Sequence, residues 1–102
     1  MTGYTIYIRP SALKEIKELP GNFRQRMRRA VSGLAENPRP PKSKPLSVSG
    51  VAIEVRRLRM DRWRLIYAIT ETDLIVDVLA VRKRPPYDYG DLSALLSGLQ
   101  GE

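Results

Sequence analysis

From Val55 to Ile69 the chain runs Val-Arg-Arg-Leu-Arg-Met-Asp-Arg-Trp-Arg-Leu-Ile-Tyr-Ala-Ile, and the spacing of its arginines is where chemistry is first legible. Strand-forming apolar residues flank Met60 to Trp63, and Asp61 tolerates turn geometry, so two strands joined by a tight reversal are expected. Alternation puts Arg57 and Arg59 on one face of the first strand, with Leu58 on the other. On the second strand Arg64 shares a face with Ile66, against Trp63, Leu65 and Tyr67. Arginines on strands are usually a solvated face. If these two faces coincide, however, three guanidiniums meet on one surface and repel one another unless an anion lies between them, and their forked donors suit a phosphate. The group is the candidate site, rather than any one arginine.

A second run of the same character is Arg82-Lys83-Arg84-Pro85-Pro86-Tyr87-Asp88-Tyr89. Three cations follow a strand, where sheets commonly place binding groups. Tyr87 and Tyr89 have the ring and hydroxyl to stack on a base or donate a hydrogen bond, or they cover the sheet edge.

These residues need a scaffold. Tyr4, Ile6 and Ile8 alternate with Thr5, Tyr7 and Arg9 in a half-buried strand that Pro10 ends. Ser11 is the expected N-cap of a helix through Leu19, with Leu13, Ile16 and Leu19 on one side, and Pro20-Gly21 stops it. Phe23, Met27, Ala30, Val31 and Leu34 then form an apolar stripe along a second helix from Asn22 to Glu36, with Arg24, Arg28 and Arg29 on its other side. Residues 37–50 hold four prolines with Arg39, Lys42 and Lys44 and no periodicity, which predicts a loop of polyproline character. After the arginine hairpin, Glu71-Thr72-Asp73 make a turn. The run from Leu74 to Val81 is nearly all apolar, as in a strand buried on both faces. Asp91 can cap a short terminal helix carrying Leu92, Leu95, Leu96 and Leu99.

The expected fold is therefore α+β: an N-terminal strand, a helical hairpin, an antiparallel sheet of about four strands and a short C-terminal helix, with the helices on one sheet face and the arginines on the other. With 102 residues the chain is read as a single domain, 1–102. Its net charge of +7 suits nucleic acid or an acidic protein partner. There is no cysteine and no histidine, so disulfides, thiolate metal sites and the commonest general base are all excluded. No apolar run reaches the roughly 18 residues of a membrane span, nor is there a signal-peptide pattern, and a cytoplasmic location is expected.

Taken together, several stretches resemble the RelE/ParE superfamily of toxins from bacterial and archaeal toxin–antitoxin pairs. They are the first strand with Ser-Ala-Leu-Lys-Glu-Ile-Lys-Glu-Leu-Pro, Glu-Asn-Pro-Arg-Pro-Pro at 36–41, Lys-Pro-Leu at 44–46, Arg57-Leu58-Arg59 with Trp63-Arg64-Leu65-Ile66-Tyr67, and Val81-Arg82-Lys83-Arg84 ahead of a tyrosine. The resemblance to the RelE-like branch implies a ribosome-dependent mRNA endoribonuclease, or interferase, that uses the RNA's own 2′-hydroxyl and needs neither metal nor other cofactor. It implies catalytic roles for Arg64, Arg84, Tyr87 and Tyr89, and phosphate contacts from Arg57 and Arg59; the cations Arg82 and Lys83 extend that RNA-binding set. It also implies an acidic or amphipathic antitoxin that wraps the toxin in a hetero-oligomer, with ribosome and mRNA as targets. The alternatives are ParE-type inhibition of DNA gyrase by protein contact and a non-catalytic basic RNA-binding module. This chain differs from the family pattern in having Asp61 for the usual turn glycine and Arg56 at a commonly apolar position. It also lacks a histidine, which leaves Tyr87, Tyr89, Asp88 or Glu54 as candidate proton acceptors.

Overall fold

The computed structural model describes residues 3–46 and 53–83. Its elements, in chain order, are β1 (Thr5–Ile8), α1 (Pro10–Lys17), α2 (Gly21–Gly33), β2 (Ser43–Pro45), β3 (Glu54–Met60), β4 (Trp63–Thr70) and β5 (Ile75–Lys83). The strands form one sheet in the order β1-β5-β4-β3-β2, parallel between β1 and β5 and antiparallel elsewhere. The architecture is α+β as expected, with five strands where about four were expected. The additional one is β2, inside the proline-rich segment read as loop: Lys44 pairs with Arg57 and Pro45 with Arg56. Proline is compatible with this position because β2 is an edge strand. The expected terminal helix from Asp91 lies outside the described residues.

Helix α1 starts at Pro10, with Arg9 as an N-cap that supplies no side-chain hydrogen bond, so Ser11 is not the cap. The Arg9 N–H still bonds the Val78 carbonyl at 3.0 Å, which continues the β1–β5 pairing up to the helix. Proline at the first helical position lacks only a donor that would be orphaned anyway, and its φ is already helical. The Arg24 guanidinium, from α2, donates to the Lys17 carbonyl at the end of α1 at 3.0 Å and so ties the hairpin together.

Ala12, Ile16 and Leu19 of the first helical segment and Met27, Val31 and Leu34 of the second pack on Leu58, Leu65, Tyr67, Ile69, Val76, Val78 and Val81 of the sheet. Burial of this apolar surface is the main stabilising term. Inside it the Tyr67 hydroxyl donates to the Pro38 carbonyl at 2.7 Å, fastening the proline-rich segment. On the opposite face Val55, Ile66, Ala68, Leu79 and Ala80 make a second buried cluster.

A bulge in β5 sets which side chains reach which face. Ile66 pairs with Ala80 and Tyr67 with Val78, so Leu79 is the extra residue and the alternation of β5 is inverted beyond it. Val76 and Val78 face the helices; past the bulge Val81 does so instead. Arg82 is thereby turned to the face away from the helices, opposite Arg64.

Candidate phosphate-binding site

Opposed residues of neighbouring strands project from the same face. Arg59 pairs with Arg64 and Arg64 with Arg82, so three arginines occupy one row across β3, β4 and β5. One row along, Lys44 pairs with Arg57, and Arg57 with Ile66. Arg57, Arg59 and Arg64 thus share the face that alternation predicted. They line a depression of about 240 Å³ together with Lys42 and Lys44. Like charges placed directly opposite destabilise a sheet. Among the described residues Arg57, Arg59, Lys42 and Lys44 make no ion pair, so the row retains a concentration of positive charge.

Arg64 is the fixed member. It is only 7% exposed, and its Nη1 donates to the carbonyls of Asp61 and Trp63 at 2.9 and 3.0 Å. Those carbonyls belong to the reversal, in which Asp61 takes a positive φ of 56°. This is a conformation that glycine adopts without strain and that aspartate tolerates better than most residues. The turn thereby positions the guanidinium as well as reversing the chain.

The remaining predicted residues divide. Arg82 starts in the arginine row, but its Nη1 pairs with Glu15 Oε2 at 2.9 Å, while Glu15 Oε1 accepts the Val81 N–H at 2.8 Å beyond the end of β1. Lys83 is opposite Trp63 and follows the alternation of Val81, on the helix side of the sheet and away from Arg57, Arg59 and Arg64. Arg84, Tyr87, Tyr89 and Asp88 lie outside the described residues.

Glu54 is displaced from the role of proton acceptor for this site. It pairs with Ile69 on the helix side, and its carboxylate is held by Arg39 at 2.7 Å and by Arg56 at 3.1 Å. The Arg39 hydrogen bond lowers its pKa, which further weakens it as a base. Arg39 also grips Glu71, which accepts from the Tyr4 hydroxyl at 2.6 Å. Arg56 belongs to this compensated helix-side group and bonds the Ser43 hydroxyl as well, so its facing is regular. The two groups differ in kind: Arg39 and Arg56 on the helix side share the carboxylates of Glu54 and Glu71, whereas on the opposite face Lys44, Arg57 and Arg59 pair with no carboxylate among the described residues.

The sequence reading did not place Lys42 and Lys44 in the site. Their spacing of two residues, with Ser43 between them, was the available signal, because it matches one face of a strand.

The fold and the cationic sheet face define a RelE/ParE-type protein, and comparison with known proteins agrees. The profile of the family described as "ParE toxin of type II toxin-antitoxin system, parDE" matches residues 6–85. The chain belongs to this family, within the RelE/ParE superfamily, and is a toxin of the type II toxin–antitoxin class. A RelE-like toxin protein of Escherichia coli is 29% identical over 91 residues, covering 89% of this chain and 94% of that one. The RelE–RelB complex of Pyrococcus horikoshii is similar in fold, with a TM-score of 0.73 at 24% identity over 84% of this chain and 99% of that chain. The Escherichia coli RelBE toxin–antitoxin complex gives 0.60 at 26% identity over 79% and 96%. Among the described residues no helix is long and apolar enough to cross a membrane.

Proposed function

We propose that the protein is a cytoplasmic, ribosome-dependent mRNA endoribonuclease whose cationic sheet face holds the phosphates around the scissile bond. The observation that carries this reading is the convergence of Arg57, Arg59 and Arg64 on one sheet face, where they line a single depression with Lys42 and Lys44. In the proposed reaction the 2′-oxygen attacks the adjacent phosphorus, the bond to the 5′-oxygen breaks, and the products are a 2′,3′-cyclic phosphate and a 5′-hydroxyl. The 2′-hydroxyl loses a proton and the leaving oxygen gains one. Negative charge grows on the non-bridging oxygens between these events. Arg64 is suited to stabilise that charge because the turn carbonyls already fix it, so little reorganisation is needed as the charge develops. Arg57 and Arg59 would hold the flanking phosphates. Arg84, Tyr87 and Tyr89 are proposed to complete the site, with a tyrosine as proton acceptor and donor in place of the missing histidine.

The partner proposed for this toxin is an acidic or amphipathic antitoxin forming a hetero-oligomer with it; the similar RelE–RelB and RelBE structures are themselves toxin–antitoxin complexes. Expression without it should arrest growth.

A second reading is favoured by the family match itself: ParE-type inhibition of DNA gyrase through protein contact. The two separate in a translating extract programmed with a reporter message and mapped at its 5′ ends. Discrete cuts that disappear in Arg64→Ala support the endoribonuclease. Intact message with gyrase-dependent DNA breaks supports the other.

A further inference from the structure

The charged surface does not stop at the sheet face. A depression of about 540 Å³ adjoins it at the β2–β3 edge, sharing Lys42, Lys44 and Arg59 and adding Arg26 over an apolar floor that includes Leu58 and Met60. A third, of about 610 Å³, lies at the tip of the β3–β4 hairpin and is lined by Phe23, Arg59, Asp61, Arg62 and Trp63. Arg59 borders all three, so one path leads from the phosphate site around the sheet edge to an aromatic pair. At its end the Phe23 and Trp63 rings are 6.1 Å apart and inclined at 47°. Arg26 covers the Phe23 ring at 4.8 Å and pairs with Asp61 at 3.1 Å. Phe23 is therefore occupied, and it braces Trp63. Asp61, the acidic group lining the tip among the described residues, is paired with the same arginine.

We propose that the hairpin tip is a second nucleotide subsite, in which Trp63 stacks on a base while Arg62 and Arg59 hold its neighbouring phosphates, so that single-stranded RNA is bound along a path running from the sheet face to the tip. This rests on the RNA reading above and extends it from one phosphate to a strand of several nucleotides. Cations that follow a backbone, ending at an aromatic platform, are the two requirements of sequence-tolerant single-strand binding. An acidic peptide would satisfy only the first.

Trp63 is the single tryptophan, so its emission reports on this subsite alone. The protein is titrated with an uncleavable 2′-O-methyl adenosine octanucleotide, with the corresponding dinucleotide and with polyglutamate, and binding is followed independently by anisotropy of the labelled ligands. The octanucleotide should quench Trp63 to saturation, while the dinucleotide binds the sheet face without quenching. Trp63→Leu should weaken octanucleotide binding about tenfold, the loss of roughly one stacked base, and leave dinucleotide binding unchanged. The exposed Arg62→Ala should weaken the octanucleotide alone by about threefold, one phosphate contact, and serves if Trp63→Leu fails to fold. Octanucleotide binding with unaltered Trp63 emission and a silent Arg62→Ala would overturn the tip subsite and leave the phosphate site standing. Quenching by polyglutamate equal to that by RNA would also overturn it. Absence of any RNA binding would remove the functional reading and this inference with it.

Discussion

Arg64 shows how an arginine on a strand becomes a chemical group rather than a solubilising one. Buried at the start of β4, it is aimed by the carbonyls of Asp61 and Trp63. In the proposed reaction, loss of such a preorganised donor costs about 100- to 1000-fold in rate, so Arg64→Ala should reduce message cleavage by that order. Arg64→Lys should not restore it, because an ammonium cannot reproduce the planar fork; single-turnover cleavage on programmed ribosomes measures both. Asp77 is a different case. It is half-buried on β5, and burial raises its pKa against the smaller opposing effect of Arg9. Its charged form therefore penalises the folded state as pH rises from the ordinary aspartate value of 3.8 through the raised folded value, and below both values the penalty vanishes. Asp77→Asn should raise the melting temperature by a few degrees near neutral pH and by nothing in strong acid. A gain that persists in acid would contradict this. The carboxylates of Glu54 and Glu71 run in the opposite sense: their pKa values are lowered by hydrogen bonds from Arg39 to Glu54 and from Tyr4 and Arg39 to Glu71, and their stabilisation is lost as pH falls below the ordinary glutamate value of 4.5.

Among the elements, what was legible in the sequence followed from local periodicity, and what was not depended on distant contacts. The apolar stripe of Phe23, Met27, Ala30, Val31 and Leu34 and the common face of Arg57 and Arg59 are consequences of spacing, while the β3–β4 register brings Arg64 onto that face. Strand β2 was not read from the sequence: Ser43–Pro45 is three residues ending in a proline, and the spacing of Lys42 and Lys44 is too short a signal until β3 supplies the strand's partners. The fate of Arg82 was not legible either. It depends on the Leu79 bulge, which inverts β5, and on Glu15, 67 positions earlier, which draws the guanidinium toward α1. Nor does the local sequence show that Glu54 is committed to Arg39. Turn chemistry gives the prediction at this scale. Leu74 is exposed and takes a positive φ of 54° at the entry to β5, a conformation unfavourable for a bulky residue. Leu74→Asn should stabilise the fold by about 1 kcal/mol, the order of the left-handed backbone penalty, as read by chemical denaturation. An unchanged or lower midpoint would mean that the leucine side chain contributes more than its backbone costs.

Considered whole, the molecule separates two electrostatic tasks across a single sheet. The helix side neutralises its cations in the Arg39, Arg56, Glu54 and Glu71 group, which secures the proline-rich segment against β3. The other side concentrates Lys44, Arg57, Arg59 and Arg64 where no carboxylate from a described residue pairs with Lys44, Arg57 or Arg59. A net charge of +7 would by itself give diffuse attraction to any polyanion; grouping on one face is what gives a defined number of phosphate contacts. That number can be counted, because each neutralised phosphate of a single strand contributes about 0.7 to the slope of log affinity against log salt. The most direct measurement is therefore the salt dependence of binding to an uncleavable single-stranded RNA. The site requires a slope of at least about 3 for the unaltered protein, reduced by roughly 0.7 in each of Arg57→Ala and Arg59→Ala. A slope that neither substitution changes would place the RNA elsewhere on the surface and contradict the account.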